Sequence, residues 1–479
     1  MAKQPSSSKQ SAGKPKSGGA AARHGTTKTG TAGPLTAARG ASGPSATGSG
    51  MAGPDAAWFV HDRFGMFIHW GLYSLPARHE WVKSQEKISD ADYRKYFDHF
   101  DPDLFNPTEW ARAAKAAGMR YFAITTKHHE GFCLWDSKHT DYKVTNTPYG
   151  KDLIGPMVEA FRAEGLHVGF YHSVIDWYHP DFIVGGDPFH PMREDAASIA
   201  ADKMRDMRRY ARYLHAQVRE LLTRYGKVDY LFFDFSYADR GGALKGRAGW
   251  QSEELLKMCR ELQPGILIND RLDLRDVPGG FDLTTPEQFR MRRHAEVDGK
   301  PVLWETCQTF SGSWGYHRDE AAWKSPEQLV WMLIDTVSKG GNLLLNVGPT
   351  ARGTFDDRAT ARLRGLGDWM RLNSRSIYGC GEAPADLPTP ENSLVTYNPA
   401  TNRAYIHLLH WPVQQFYVDG WLDRIEYAQL LHDASEVKWG PLPSWQQGHE
   451  ALGAESTILH LPVDKPNVTV PVIEVFLKR

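Results

Sequence analysis

Two acids in this chain, Asp234 and Glu287, each close a short run that otherwise favours burial: Tyr230-Leu-Phe-Phe-Asp234 and Leu283-Thr-Thr-Pro-Glu287. A carboxylate at the end of a buried strand is costly unless it is paired or put to use. Two acids on one rim are the minimal equipment for cleaving a glycosidic bond. One protonates the leaving oxygen while the other attacks the anomeric carbon or activates water. Asp234 could instead serve only as a partner for Arg271, and Glu305, which also follows an apolar run, competes with Glu287 as proton donor. Glu287 is the preferred donor, with Glu305 expected to be a positioning residue paired to a neighbouring cation.

The side chains near the other strand ends fit a sugar. Trp70, Trp81, Trp135, Tyr171, Trp177, Trp304, Trp314 and Tyr316 are interleaved with His69, His128, His129, His172 and Arg271. Sugars offer apolar C–H faces and dense hydroxyls, so their sites combine aromatic platforms with groups that donate and accept hydrogen bonds. A phosphate site would call for a glycine-rich loop or clustered cations. A competing reading gathers His69, His128, His172 and Asp234 around a metal. Against it, His-x-His spacing is absent, and adjacent histidines in an extended segment point to opposite sides. No metal and no cofactor is called for.

Eight apolar runs must position these groups: residues 66–69, 121–126, 167–172, 229–234, 266–271, 282–287, 302–305 and 342–346. Continuous apolar runs of this length suit parallel strands covered on both faces. Most are separated by stretches with helical spacing, at 107–117, 153–164, 198–225, 252–262, 326–338 and 357–372. Strand then helix, repeated about eight times, predicts an α/β fold, a (β/α)8-like TIM barrel with its site at the carboxyl ends of the strands. A doubly wound open sheet fits less well, because no Gly-x-Gly-x-x-Gly turn follows the first strand.

The chain has 479 residues and a formal net charge of −1, yet its first fifty residues carry seven Lys or Arg and no acid. That segment is rich in Ser, Gly, Ala, Thr and Pro, and cannot bury enough surface to offset the entropy of ordering it. Three segments are expected: a disordered basic tail at 1–53, the barrel at 54–376, and an antiparallel β-sandwich at 377–479, where short alternating runs are divided by Pro, Gly and Asn turns. A secretory signal needs an apolar core of about 7–15 residues and a membrane span about 18, and neither is present. The expectation is a soluble chain, cytoplasmic by default. Nothing suggests a nucleic-acid groove, and an oligomer is compatible with the composition. Cys133, Cys259, Cys307 and Cys380 lack Cys-x-x-Cys spacing and read as buried free thiols.

Five blocks carry a resemblance. They are Arg63-Phe-Gly-Met-Phe-Ile-His-Trp-Gly71, Lys127-His-His-Glu-Gly-Phe132, Asp176-Trp-Tyr-His-Pro180, Trp304-Glu-Thr-Cys-Gln-Thr309 with Ser313-Trp-Gly-Tyr316, and Lys339-Gly-Gly-Asn-Leu-Leu-Leu-Asn-Val-Gly-Pro349. In this order the chain resembles the α-L-fucosidases of glycoside hydrolase family 29 over roughly residues 58–378. The resemblance implies a retaining exo-acting enzyme acting on fucosylated oligosaccharides or glycans, with Asp234 as nucleophile and Glu287 as general acid/base. It implies that His69, Glu80, Trp81, His128, His129, Tyr171 and Arg271 hold the fucose, with Phe232 and Trp314 beside them. Members usually carry Trp two positions before the nucleophile and Gly soon after it. Here Phe232 and Phe235-Ser236 stand instead, a departure that bears on substrate preference and leaves room for a fucoside-binding protein without turnover. A retaining pair requires carboxyl groups about 5–5.5 Å apart, against about 6.5–9.5 Å for an inverting one. Glu287 should then have a raised pKa.

Overall fold

The computed structural model describes residues 55–236, 245–443, 445 and 456–479. The expected basic tail lies outside them. Ten strands belong to the first part of the chain: β1 (Phe64–Ile68), β2 (Tyr121–Lys127), β3 (His167–Ser173), β4 (Tyr230–Asp234), β5 (Leu267–Ile268), β6 (Leu283–Thr284), the exposed hairpin β7 (Glu296–Val297) and β8 (Lys300–Pro301), then β9 (Leu303–Thr309) and β10 (Asn342–Val347). Eight of them form one sheet in the order β5-β4-β3-β2-β1-β10-β9-β6. Every neighbouring pair is parallel. A single parallel bridge between Asn269 and Leu283 brings the two ends together, so the sheet is a nearly closed barrel.

The seam is thin because β5 and β6 are each two residues long. Asn269 compensates with its side chain. It accepts from the Phe233 amide at 3.0 Å, donates to the Phe233 carbonyl at 2.9 Å, and reaches Thr285 Oγ1 at 3.3 Å. Strand periodicity then decides what fills the barrel. Phe67, Tyr121, Tyr171, Tyr230, Phe232, Leu267, Leu283, Cys307 and Leu344 pack together inside it. Gly65 makes room for one of these rings, since a Cβ there would lie 2.4 Å from Tyr121.

Outside the strands lie helices Pro107–Ala116, Ile154–Ala163, Met207–Arg224, Ser252–Leu262, Pro326–Val337 and Asp357–Asn373. Their starts follow capping chemistry. Asn106 accepts from the Glu109 amide, Ser325 and Gln328 form a capping box, and Asp356 accepts from Arg358 and Ala359; each cap contributes about 1 kcal/mol. The helix expected over 198–225 is interrupted. A short helix, Ala196–Ala200, and a 3-10 turn, Ala201–Met204, precede Met207–Arg224. Asp202 turns aside to accept from the amides of Val184 and Gly185, and Asp206 caps a fresh helix through the Arg208 amide.

The remaining strands are β11 (Ser393–Asn398), β12 (Arg403–Leu408), β13 (Gln415–Asp419), β14 (Ile425–Leu430), β15 (Lys438–Pro441), β16 (Ser456–His460) and β17 (Val472–Leu477). They form two antiparallel sheets, β11-β12-β17-β14 and β13-β16-β15. Ile406, Ile473 and Val475 of one sheet share a core with Phe416, Val418 and Leu459 of the other, a sandwich as expected. The described residues belong to one compact unit. Trp369 donates its indole N–H to the Val470 carbonyl, Arg63 bonds the Cys380 carbonyl, and the buried Glu474 of β17 pairs with both Arg375 and Arg403. All four cysteines are buried and free. No helix among the described residues is long and apolar enough to cross a membrane.

Candidate active site

On six of the eight barrel strands inward parity carries a polar side chain to the carboxyl rim. His69 follows Phe67, Tyr171 lies inside β3, and Asp234 follows Phe232. Arg271 lies two residues past Asn269, Glu287 two past Thr285, and Asn346 two past Leu344. Arg271 is the hub. Its Nη1 donates to Asp234 Oδ1 at 2.5 Å and to Glu287 Oε2 at 3.0 Å. Thr285 holds the guanidinium from its hydroxyl at 3.0 Å and its carbonyl at 2.9 Å, and the cation lies 4.9 Å from the centre of the Phe232 ring. A nitrogen that touches both acids at those distances keeps the two bonded oxygens no more than about 5.5 Å apart, an upper limit compatible with a retaining pair.

The two acids are pushed in opposite directions. Burial alone raises the Asp234 carboxyl, but Arg271, His129 and the Tyr171 hydroxyl, bonded at 2.7 Å, outweigh it and hold the group below the usual carboxylate range. Glu287, whose side chain is 44% exposed, is raised by its partial withdrawal from water and then by the charge of Asp234, against the opposing pull of Arg271. One acid shifted toward its ionised form and its neighbour toward its protonated form is the division of roles that acid-assisted nucleophilic substitution needs.

The imidazoles line the same chamber. His69 bonds Asn346 Oδ1 at 2.6 Å, and its ring centre lies 5.6 Å from that of His128 and 5.1 Å from that of Trp314. His129 bonds Ser173 Oγ at 2.7 Å, stands 3.8 Å from Asp234, and tilts against Trp81 at 5.0 Å. Burial lowers His69 to about 3 and His129 to about 4, and it lowers His128 as well. All three are neutral near pH 7; His69 Nδ1–H donates to Asn346 and His129 Nδ1–H to Ser173, whose own hydroxyl donates to the Ile175 carbonyl, so both rings keep Nε2 as an acceptor for a hydroxyl. His128 Nδ1 has no hydrogen-bond partner among the described residues. Glu80 accepts from the amides of Trp314 at 3.1 Å and Gly315 at 2.7 Å, fixing the Trp314 loop at the mouth, and burial raises Glu80 to about 7.

Several expectations need correction. His128 and His129 do not point apart, because they lie in a turn beyond β2, and their rings are 4.0 Å apart. His172 does not join them. It alternates with Tyr171 to the outer face of β3, bonds Thr126 Oγ1 and meets Trp135, so the four proposed metal ligands do not converge. Among the described residues no group of three His, Cys, Asp or Glu is arranged to hold a metal. Among the described residues Glu305 pairs with no cation; it accepts from Tyr121 at 2.5 Å and Tyr230 at 2.9 Å. Glu287 bridges to Cys307, so Glu305 sits two residues, roughly 6.5 Å, deeper in the barrel than the rim. Trp70, Trp135 and Trp304 are core residues on the outer face of the sheet; Trp70, for example, packs on Phe100, Phe105 and Trp110. Asn346 and Ser173 orient the two histidines and were not singled out from sequence. Asn346 already stood at the end of an apolar run, whereas Ser173 carried no signal.

A parallel barrel with a carboxylate pair and neutral imidazoles on its carboxyl rim is the arrangement of a barrel glycoside hydrolase. The family described as alpha-L-fucosidase matches residues 45–375. The plasma alpha-L-fucosidase of Rattus norvegicus is 31% identical over 74% of this chain and 78% of its own length. Alpha-L-fucosidase isoenzyme 1 from Paenibacillus thiaminolyticus is 46% identical, with a TM-score of 0.82 over 88% of this chain and 99% of that one. A family 29 alpha-L-fucosidase from Bacteroides thetaiotaomicron, solved as a trapped covalent intermediate with 2-fluoro-fucosyl fluoride, is 28% identical with a TM-score of 0.74, covering 91% and 98%. The chain belongs to the α-L-fucosidases of glycoside hydrolase family 29.

Proposed function

We propose that Asp234 is the nucleophile and Glu287 the general acid/base with which this retaining α-L-fucosidase removes terminal α-L-fucosyl residues from oligosaccharides or glycoconjugates. The observation that carries the assignment is the single Arg271 nitrogen bonded to both acids, which keeps them close enough for a double displacement. In the first step Asp234 forms a bond to the anomeric carbon as the bond from that carbon to the leaving oxygen breaks. Glu287 gives its proton to that oxygen. In the second step Glu287 takes a proton from water, the water oxygen attacks the anomeric carbon, and the ester to Asp234 breaks with the α configuration restored. His69, His128, His129, Glu80 and Trp81 hold the hydroxyls, while Phe232, Tyr171 and Trp314 supply apolar surface.

The test combines product stereochemistry with rescue. NMR of the wild type with an aryl α-L-fucoside is expected to show α-fucose before mutarotation. Asp234→Gly is expected to lose at least about 10³-fold in kcat and to regain turnover with azide, giving β-fucosyl azide. An α-azide would remove Asp234 from the nucleophile's role, and saturable fucose binding with no turnover by the wild type would indicate a binding protein.

A further inference from the structure

Phe235, the residue directly after Asp234, takes a backbone φ of 74°, a left-handed conformation that is costly for a bulky side chain. This turn sets its ring edge-on to His129 at 4.7 Å and against Trp81 at 5.4 Å. Phe189, 37% exposed, buttresses it edge-on at 5.1 Å and also meets Trp81. The loop carrying Phe189 is tied to the far end of the segment after Asp234 by an ion pair, Lys245 Nζ to Asp187 Oδ2 at 3.0 Å, in which both side chains are at most 1% exposed. Phe235 also lines a cleft of about 880 Å³ that it shares with Asp234, Arg271, Glu287, Asp273 and Arg293.

The proton donor opens onto this cleft, so the leaving group must occupy it; this step rests on the function proposed above. We infer that Phe235 is a specificity-determining residue for the leaving group. Its ring is the apolar wall against which the C–H face of a pyranose, or an aryl ring, rests as the bond to fucose breaks, and Phe189 holds that wall in place. A sugar face on an aromatic ring combines apolar contact with hydroxyls left free for the polar residues that line the same cleft, Asp273 and Arg293 among them.

The experiment compares α-L-fucosyl fluoride, which has no group large enough to reach the wall, with an α-L-fucosyl disaccharide whose second sugar is a hexopyranose. For Phe235→Gly, kcat/KM on the disaccharide is expected to fall about tenfold more than on the fluoride, mainly through KM. The melting temperature should not drop, because glycine suits the left-handed backbone. Phe235→Leu, which keeps apolar bulk, should recover most of the loss, and Phe189→Ala should show a weaker form of the same selectivity. Equal losses on both substrates would place the ring in the fucose chamber and overturn the inference, as would no loss on either. If the wild type turns over neither substrate, the proposed function fails and the inference fails with it.

Discussion

Because Arg271 touches both acids, its removal has a defined sign at the scale of a single residue. The guanidinium lowers the pKa of Asp234 and of Glu287 alike. The acid limb of kcat/KM reports Asp234 becoming ionised, and the alkaline limb reports Glu287 losing its proton. Arg271→Met is therefore expected to move both limbs to higher pH, with a large loss of rate at the optimum, measurable as a pH profile on an activated fucoside. A profile that loses height without moving would mean that Arg271 acts only by packing. Glu287→Ala has a different signature. Substrates with poor leaving groups need full protonation of the departing oxygen, so they should lose about 10²–10⁴-fold while activated aryl fucosides lose much less. Equal losses across a leaving-group series would remove Glu287 from the role of acid, and Glu305 could not replace it from its depth in the barrel.

At the scale of elements, the weak place is the seam between β5 and β6, next to the two residues that matter most. The Asn269 side chain stands in for the missing ladder and links Phe233, which precedes Asp234, to Thr285, which holds Arg271. Asn269→Ala leaves the Phe233 amide without this partner in a buried setting, at a cost of about 1–3 kcal/mol. Urea unfolding should show that loss, and kcat should fall too, since Asp234 and its cation lose their common anchor. Loss of stability without any change in kcat would show that the rim is fixed from elsewhere. The same element scale explains the interrupted helix before β4. Apolar spacing runs through 198–225, but Asp202 and Asp206 offer the backbone other partners, and a local cap outcompetes continuity.

For the whole molecule, the telling group is Glu305, fully buried where Tyr121 and Tyr230 converge. Burial raises it from the ordinary 4.5 to about 8, and raises Glu80 and Glu130 to about 7. A carboxyl raised by folding is held protonated in the native state, so its contribution is complete below 4.5 and is lost as pH climbs toward the folded value. Across the pH range between those two values the native protein should lose stability as pH rises, by at most about 1.4 kcal/mol per pH unit from Glu305 alone. Glu305→Gln, a neutral isostere, should flatten that slope in chemical denaturation run across the interval. An unchanged slope would mean that Glu305 is ionised in the fold.

The barrel, its strand-end acids and the sandwich were legible in the chain because they depend on local quantities: the length of an apolar run, the period of a helix face and the residue that closes a strand. Five blocks in order were enough for the family. Parity along a strand was also legible, and it explains why Phe232 and Asp234 share a face while His172 leaves it. What sequence could not supply was depth and convergence. Glu305 and Glu287 both follow barrel runs, and only the stagger between neighbouring strands puts one at the base and the other on the rim. His128 and His129 face the same chamber because the chain turns after β2, which no alternation rule foresees. The opposite pKa shifts of Asp234 and Glu287 arise because a guanidinium delivered by a third strand outweighs burial at Asp234, whereas burial and the charge of Asp234 outweigh it at Glu287, and the wall formed by Phe235 and Phe189 joins residues from separate loops. Such contacts between segments distant in the chain exist only once the sheet has closed.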